Sequence, residues 1–150
     1  MGGSVDLHTS TFRVYGTPVP QGGMRYVPTP GGSRQITVGG VGLQDWRSSV
    51  AAEAAVQVVE GSKHRGPVAL YVDFRYPMPG TRKAAQRRHG SMPRTSRPDI
   101  DKLLRAVCDA ITVGGLWLDD AQVAELHCTK YEFMDSWQGI DVAVRDLWTP

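Results

Sequence analysis

Two acidic pairs in this 150-residue chain have the residue type and spacing for metal-assisted chemistry, Asp99-Ile100-Asp101 and Asp119-Asp120. In an extended segment the period of two turns both carboxylates of Asp-x-Asp to one side. Pro98, directly before them, biases Arg97 away from helix and favours an extended approach. The same aspartates could instead cap the following helix and complement its dipole, and Asp119-Asp120 could be a solvated turn. Chain geometry favours a joint role. A helix from Asp101 to Val113 is ~18 Å long, and five extended residues from Gly115 to Asp120 span ~17 Å. The chain can therefore just return to the helix start, with Leu116, Trp117 and Leu118 packing along the helix, and gather three or four carboxylates there. Like-charged carboxylates at close range raise one another's pKa, a conflict that a divalent cation resolves. Oxygen-only ligands without paired histidine or cysteine suit Mg²⁺ or Mn²⁺ better than zinc.

The charge balance suggests what such a metal would act on. The net charge of +2 conceals 13 Lys/Arg against 5 Asp/Glu in residues 1–98, and 4 against 10 in residues 99–150. From Arg75 to Arg97 there are seven basic side chains and no acid: Arg75, Arg82, Lys83, Arg87, Arg88, Arg94 and Arg97. Alone, this run reads as a solvated surface loop. Beside an acidic cluster it reads as the holder of a polyanion, so that metal-activated water could attack a phosphodiester while the basic segment grips the backbone. Arg105, one turn beyond Asp101, would either form an i,i+4 ion pair or point at the scissile phosphate. Lys102 would be a phosphate contact or a plain surface residue.

The elements that must position these groups follow from periodicity. Thr11–Tyr15 reads as a first strand, ended by Gly16, Pro18 and Pro20. Residues 21–40 form a Gly/Pro-rich arm, with β-type runs at 25–27 and 35–38 that suggest a loose hairpin. Leu43, Trp46, Val50, Ala54 and Val58 recur at helical spacing up to Gly61. Residues 68–76 alternate as a central strand that stops at Pro77 and Pro79. Residues 78–98 have no apolar period and read as a mobile basic loop. Ile100, Leu103, Leu104, Val107, Cys108 and Ile111 make the stripe of a second helix, ended by Gly114-Gly115. Val123–Phe133 is β-rich, and Ile140, Val142 and Val144 mark a last strand. The order β-α-β-α-β-β predicts a single α+β domain over residues 1–150, with a mixed sheet and two main helices on one face.

Other chemistries find little support. Cys108 and Cys128 have neither disulfide density nor zinc spacing and read as small buried hydrophobes. His8, His64 and His89 fall in tail or loop contexts, His127 falls on a strand, and no Ser-His-Asp triad can be nominated. The glycine pairs spell no dinucleotide-binding or P-loop fingerprint, and the expected partner is DNA with no small-molecule substrate. No membrane span or secretory signal is evident, which predicts a cytoplasmic protein with no membrane partner.

Residues 97–112 (Arg-Pro-Asp-Ile-Asp-Lys-Leu-Leu-Arg-Ala-Val-Cys-Asp-Ala-Ile-Thr), followed by Leu116-Trp-Leu-Asp-Asp-Ala-Gln-Val123, resemble the RusA family of Holliday junction resolvases. The likeness is carried by Asp-x-Asp, by Asp109 before Ala110 and by the Trp-Leu-Asp-Asp-Ala-Gln-Val run, over roughly residues 97–132. More weakly, Gly16-Thr-Pro-Val-Pro and Trp46-Arg47 are similar to the family's amino-terminal half. The resemblance implies a homodimeric, Mg²⁺-dependent endonuclease that makes paired symmetric nicks in four-way DNA junctions, common in phages and prophages. It places Asp99, Asp101 and Asp120 on the family's essential acids and Asp119 on the neighbouring one. These four would hold the metal, and Arg105 stands where a catalytic Lys usually does. Arg82, Lys83, Arg87, Arg88, Arg94, Arg97 and Lys102 would bind DNA. Lys102 replaces a frequent Asn. Arg at 105 keeps the charge but does not readily give up a proton. The competing readings are a non-catalytic DNA-binding recombination accessory protein with a structural acidic cluster, and a nuclease of the same fold acting on flaps.

Overall fold

One strand, β4 (Val68–Pro77), organises the sheet, because its even-numbered side chains are almost wholly withdrawn from water. Val68, Leu70, Val72 and Phe74 are fully buried and Tyr76 nearly so. On one side β4 pairs antiparallel with β7 (Gly139–Asp146), and on the other it pairs parallel with β6 (Val123–Phe133). Val72 thus stands opposite both Val142 and Cys128. Strands β1 (Thr9–Tyr15) and β5 (Ser91–Pro93) complete a five-stranded mixed sheet of order β1-β7-β4-β6-β5. This computed structural model describes residues 7–39, 41–59, 61, 63–135 and 137–148.

Helices α1 (Leu43–Val59) and α3 (Ile100–Gly114) cover one face, as the sequence periodicity predicts. Trp46, Val50 and Ala54 of α1 and Leu103, Ala106, Val107, Ala110 and Ile111 of α3 join the buried even-numbered residues of β4 in one core. The helices meet at their smallest residues. A Cβ added to Gly114 would lie 2.5 Å from the Ala51 carbonyl oxygen and 3.0 Å from the Ala54 Cβ. Helix α3 ends at Gly115, whose left-handed backbone (φ +80°) lets its amide donate to the carbonyls of Ile111 and Thr112, both at 3.1 Å.

The arm is a hairpin of β2 (Gln21–Thr29) and β3 (Gly32–Gly39), longer than the two short runs suggested and separate from the main sheet. Gly40, the last residue assigned to it, lies outside the described residues. The 78–98 segment, expected as a loop, carries a one-turn helix α2 (Ala84–Arg87) and the edge strand β5. Backbone bonds from Met78 N to Phe133 O (2.8 Å) and from Arg94 N to Lys130 O (2.9 Å) lay it along β6. Among the described residues no helix is long and apolar enough to cross a membrane.

The α1–α3 contact predicts the outcome of a small substitution. Gly114→Ala inserts a methyl group against backbone, and its cost should be ~1–3 kcal/mol of stability. Gly80→Ala, where a Cβ meets nothing within 4 Å, should stay within ~0.5 kcal/mol of the parent. Urea titration followed by circular dichroism measures both.

Candidate active site

The buried stripe of α3 decides which of its side chains face outward. Asp101, Arg105 and Asp109 recur every four residues on the side away from the core, with Asp101 and Arg105 exposed and Asp109 half-buried. Asp99 is the N-cap residue in extended conformation (φ −70°, ψ 138°), yet its carboxylate makes no capping hydrogen bond. Its ion-pair partner is Lys102 Nζ at 3.5 Å. The helix begins at Ile100, so Asp-x-Asp straddles the helix start and is not the fully extended pair that its period suggested. Asp101 edges a shallow depression with Ile100, Leu104, Leu126 and Cys128. Among the described residues no carboxylate lies within ion-pair distance of Arg105, so the i,i+4 bridge to Asp101 is not formed.

Two clamps from β6 hold the approach to Asp99. Lys130 Nζ donates to the carbonyls of Ser96 (2.9 Å) and Pro98 (2.6 Å). Two residues along the same strand face, Glu132 is fully buried and receives Arg82 through Nε (2.5 Å) and Nη2 (3.2 Å), with Arg94 Nη1 at 3.6 Å. Arg94 also lies over the Tyr76 ring and donates to Arg97 O. A buried carboxylate without a partner would cost several kcal/mol, so these arginines are committed to it. Arg87 is half-buried and donates to Pro79 O at 3.3 Å. Lys83, Arg88 and Arg97 are the exposed remainder of the basic run. Sequence reasoning missed these roles, although Lys130 and Glu132 at a period of two on β6 were the available signal.

The second acidic pair sits on a 3-10 turn, Asp120–Gln122, capped by Asp119. Trp117 is buried and its indole N–H donates to Thr112 Oγ1 at 2.7 Å, so the chain turns back along the last turns of α3. The return is partial. The charges acting on Asp120 are those of Asp119 and Asp109, two helical turns beyond Asp101, rather than those at the helix start. Among the described residues no three His, Cys, Asp or Glu side chains converge tightly enough to hold an ion, so the expected preassembled cluster is absent. The acids stand as two pairs along one helix face, with Arg105 between them and Asp109 beside the second.

Electrostatics at the turn are asymmetric. Asp120 is held above the ordinary carboxylate pKa, first by desolvation, then by its contact with Asp119 and by repulsion from Asp119 and Asp109. Asp119 is held below it, chiefly because its Oδ1 accepts the Ala121 N–H at 2.8 Å. Burial pushes the thiol of Cys108 up to about 12 and that of Cys128 up to about 11, so both stay protonated and inert near neutrality. Hard oxygen donors with unrelieved repulsion at Asp120 fit a small divalent cation in their chemistry. Gln21 Nε2 donates to Asp109 Oδ2 at 2.6 Å and ties the arm to this face, a contact no sequence signal announced.

An acidic helix face with basic residues beside it on an α+β scaffold has the donors for metal-assisted chemistry on a phosphodiester, and the matching family is one of structure-selective endonucleases. The family model described as endodeoxyribonuclease RusA matches residues 16–145, and the chain belongs to that family. It is 31% identical over 147 residues to an uncharacterised protein, YqaN, of Bacillus subtilis (strain 168), covering 91% of this chain and 95% of that one. It is 49% identical over 39 residues to the crossover junction endodeoxyribonuclease RusA of Escherichia coli (strain K12), covering 26% of this chain and 32% of that one. The corresponding enzyme of Enterobacteria phage 82 matches with the same identity and coverage.

The pKa directions set a test in metal-free buffer. A carboxyl whose folded pKa is raised stabilises the fold while protonated and ceases to do so as pH rises through that value. Asp120→Asn should therefore melt at or above the wild-type temperature at neutral pH, the gap closing near pH ~4. Asp119→Asn should melt lower at neutral pH, because an anion stabilised by the Ala121 N–H is lost. Scanning calorimetry across pH with EDTA present reads both signs.

Proposed function

We propose that the protein resolves four-way DNA junctions by paired phosphodiester hydrolysis, using Mg²⁺ or Mn²⁺ and acting as a homodimer in the cytoplasm. The observation that carries this reading is the outward face of α3, where Asp99 and Asp101 lie at one end, Asp109 and the Asp119-Asp120 turn lie beyond, and Arg105, without an ion-pair partner among the described residues, lies between. Family membership and relatives named crossover junction endodeoxyribonucleases support the substrate. Asp99, Asp101, Asp119 and Asp120 would hold the metal, which supplies an activated water and stabilises charge on the attacked phosphate. Arg105, permanently charged and capable of bidentate contact, grips a phosphate oxygen and does not transfer a proton. Lys83, Arg88 and Arg97 hold the flanking backbone as counter-charges, with Lys102 beside Asp99. Two opposed strands must be cut, and a two-fold pair of chains supplies two equivalent sites.

Cleavage of a mobile four-way junction with and without Mg²⁺, beside duplex and flap controls, tests the assignment. Asp99→Asn, Asp101→Asn and Asp120→Asn should each lower cleavage at least ~100-fold while junction binding survives. Near wild-type cutting by any two of them overturns the site. Junction binding with no cleavage in either metal points to the accessory-protein reading, and preference for flaps points to the other nuclease. A monomer mass in sedimentation at micromolar concentration, with uncoupled nicks on a supercoiled cruciform, removes the dimer.

The basic residues separate into two groups with different expected outcomes. Changing Lys83, Arg88 and Arg97 together to Gln should weaken junction binding and flatten its log–log salt slope by ~2–3. Arg82→Gln should lower stability instead, because it strips the principal partner from buried Glu132. An unchanged slope in the triple variant returns the segment to a solvated surface.

A further inference from the structure

We infer that Gln122 is the positioning residue of the acidic turn, fixing Asp119 and Asp120 against the buried His64 segment that leads into β4. The inference rests on the proposed site and adds a residue to it that no assignment yet includes. Four hydrogen bonds converge on one side-chain amide. Gln122 Oε1 accepts the backbone N–H groups of Leu118 (2.7 Å) and Asp119 (3.1 Å), the two that lead into the acids. Its Nε2 donates to the carbonyls of His64 (3.2 Å) and Gly66 (2.8 Å). All four hydrogen-bonding directions of the amide are thereby used, which fixes its rotamer and leaves little freedom to the turn it spans.

The anchor at the other end is rigid. His64 is fully buried, with Nδ1 2.7 Å from Asp146 Oδ1 of β7 and Nε2 2.8 Å from Ser10 Oγ of β1. With Nδ1–H donating to the carboxylate, Nε2 accepts the serine hydroxyl. The order Ser10–His64–Asp146 matches that of a hydrolytic triad, but Ser10 is only 1% exposed, so its hydroxyl meets no substrate. Its role is mechanical. The His64 backbone N–H also donates to Leu116 O at 2.8 Å, so the segment before the acidic turn is bound to the same strut at both the main chain and, through Gln122, the side chain. A metal ligand is useful only where its oxygens are held in place by the groups behind it.

Two substitutions test this in the full-length protein. Gln122→Met keeps the volume and removes all four bonds, whereas Gln122→Glu keeps the acceptor toward Leu118 and Asp119 but sets a negative oxygen against two carbonyls. For both we expect kcat on the junction to fall ~10–100-fold, since small misplacement of reacting groups has that effect. The Mg²⁺ midpoint should rise ~10-fold, with junction affinity unchanged. Mn²⁺ binding without DNA, read by water-proton relaxation, should weaken in parallel. Wild-type kcat and Mn²⁺ affinity in both variants overturn the inference, as does loss of junction binding in step with activity, which marks a general folding defect. Asp120→Asn assayed alongside keeps the two readings apart. If it cuts normally the site itself is wrong, whereas if it is inactive and Gln122→Met is not, only the positioning role falls.

Discussion

Burial of five α3 side chains against the sheet and α1 is the constraint from which the candidate site follows. Once Leu103, Ala106, Val107, Ala110 and Ile111 are seated in the core, the helix has no rotational freedom left, and Asp101, Arg105 and Asp109 must face outward. The close approach at Gly114 then fixes the helix along its axis. Everything chemical about the site is set relative to that helix. The acidic turn is brought back along it by Trp117, the arm touches it through Gln21, and the basic segment is delivered to its start by Lys130.

Charge inside the fold follows a different logic from charge on its surface. Glu132 lies where water does not reach, and its need for partners gives the basic segment a defined path. Arg82 and Arg94 of that run serve Glu132, Arg75 pairs with Asp135 and Arg87 bonds the Pro79 carbonyl, so that Lys83, Arg88 and Arg97 are its exposed members. Asp146 and Ser10 satisfy His64 in the same way at the opposite end of the sheet. Both polar networks tie sheet strands to the segments that carry functional groups.

Much of this was readable from the residues. The helical stripe from Ile100, the alternation of β4 and the run Val123–Phe133 are local patterns, and local patterns survive into structure when a core confirms them. Asp-x-Asp and Asp119-Asp120 were visible as candidate chemistry for the same reason. Where the returning chain stops short of the helix start was not legible, because maximum chain reach does not say where Trp117 will find Thr112. Nor were the partners of Glu132, His64 and Gln122. The Arg82–Glu132, His64–Asp146 and Gln122–Gly66 contacts join residues 50 or more positions apart, and no periodicity encodes them.

The strand order has a temporal side. β1 pairs with β7 alone, and β7 is the last of the described strands to be synthesised, yet it lies between β1 and the central β4. Until it emerges from the ribosome, β1 has no place in the sheet and Asp146 is not there to meet His64. Long-range pairing of this kind closes late in folding. The polar strut behind the acidic turn, Ser10–His64–Asp146, is therefore completed only when β7 enters the sheet.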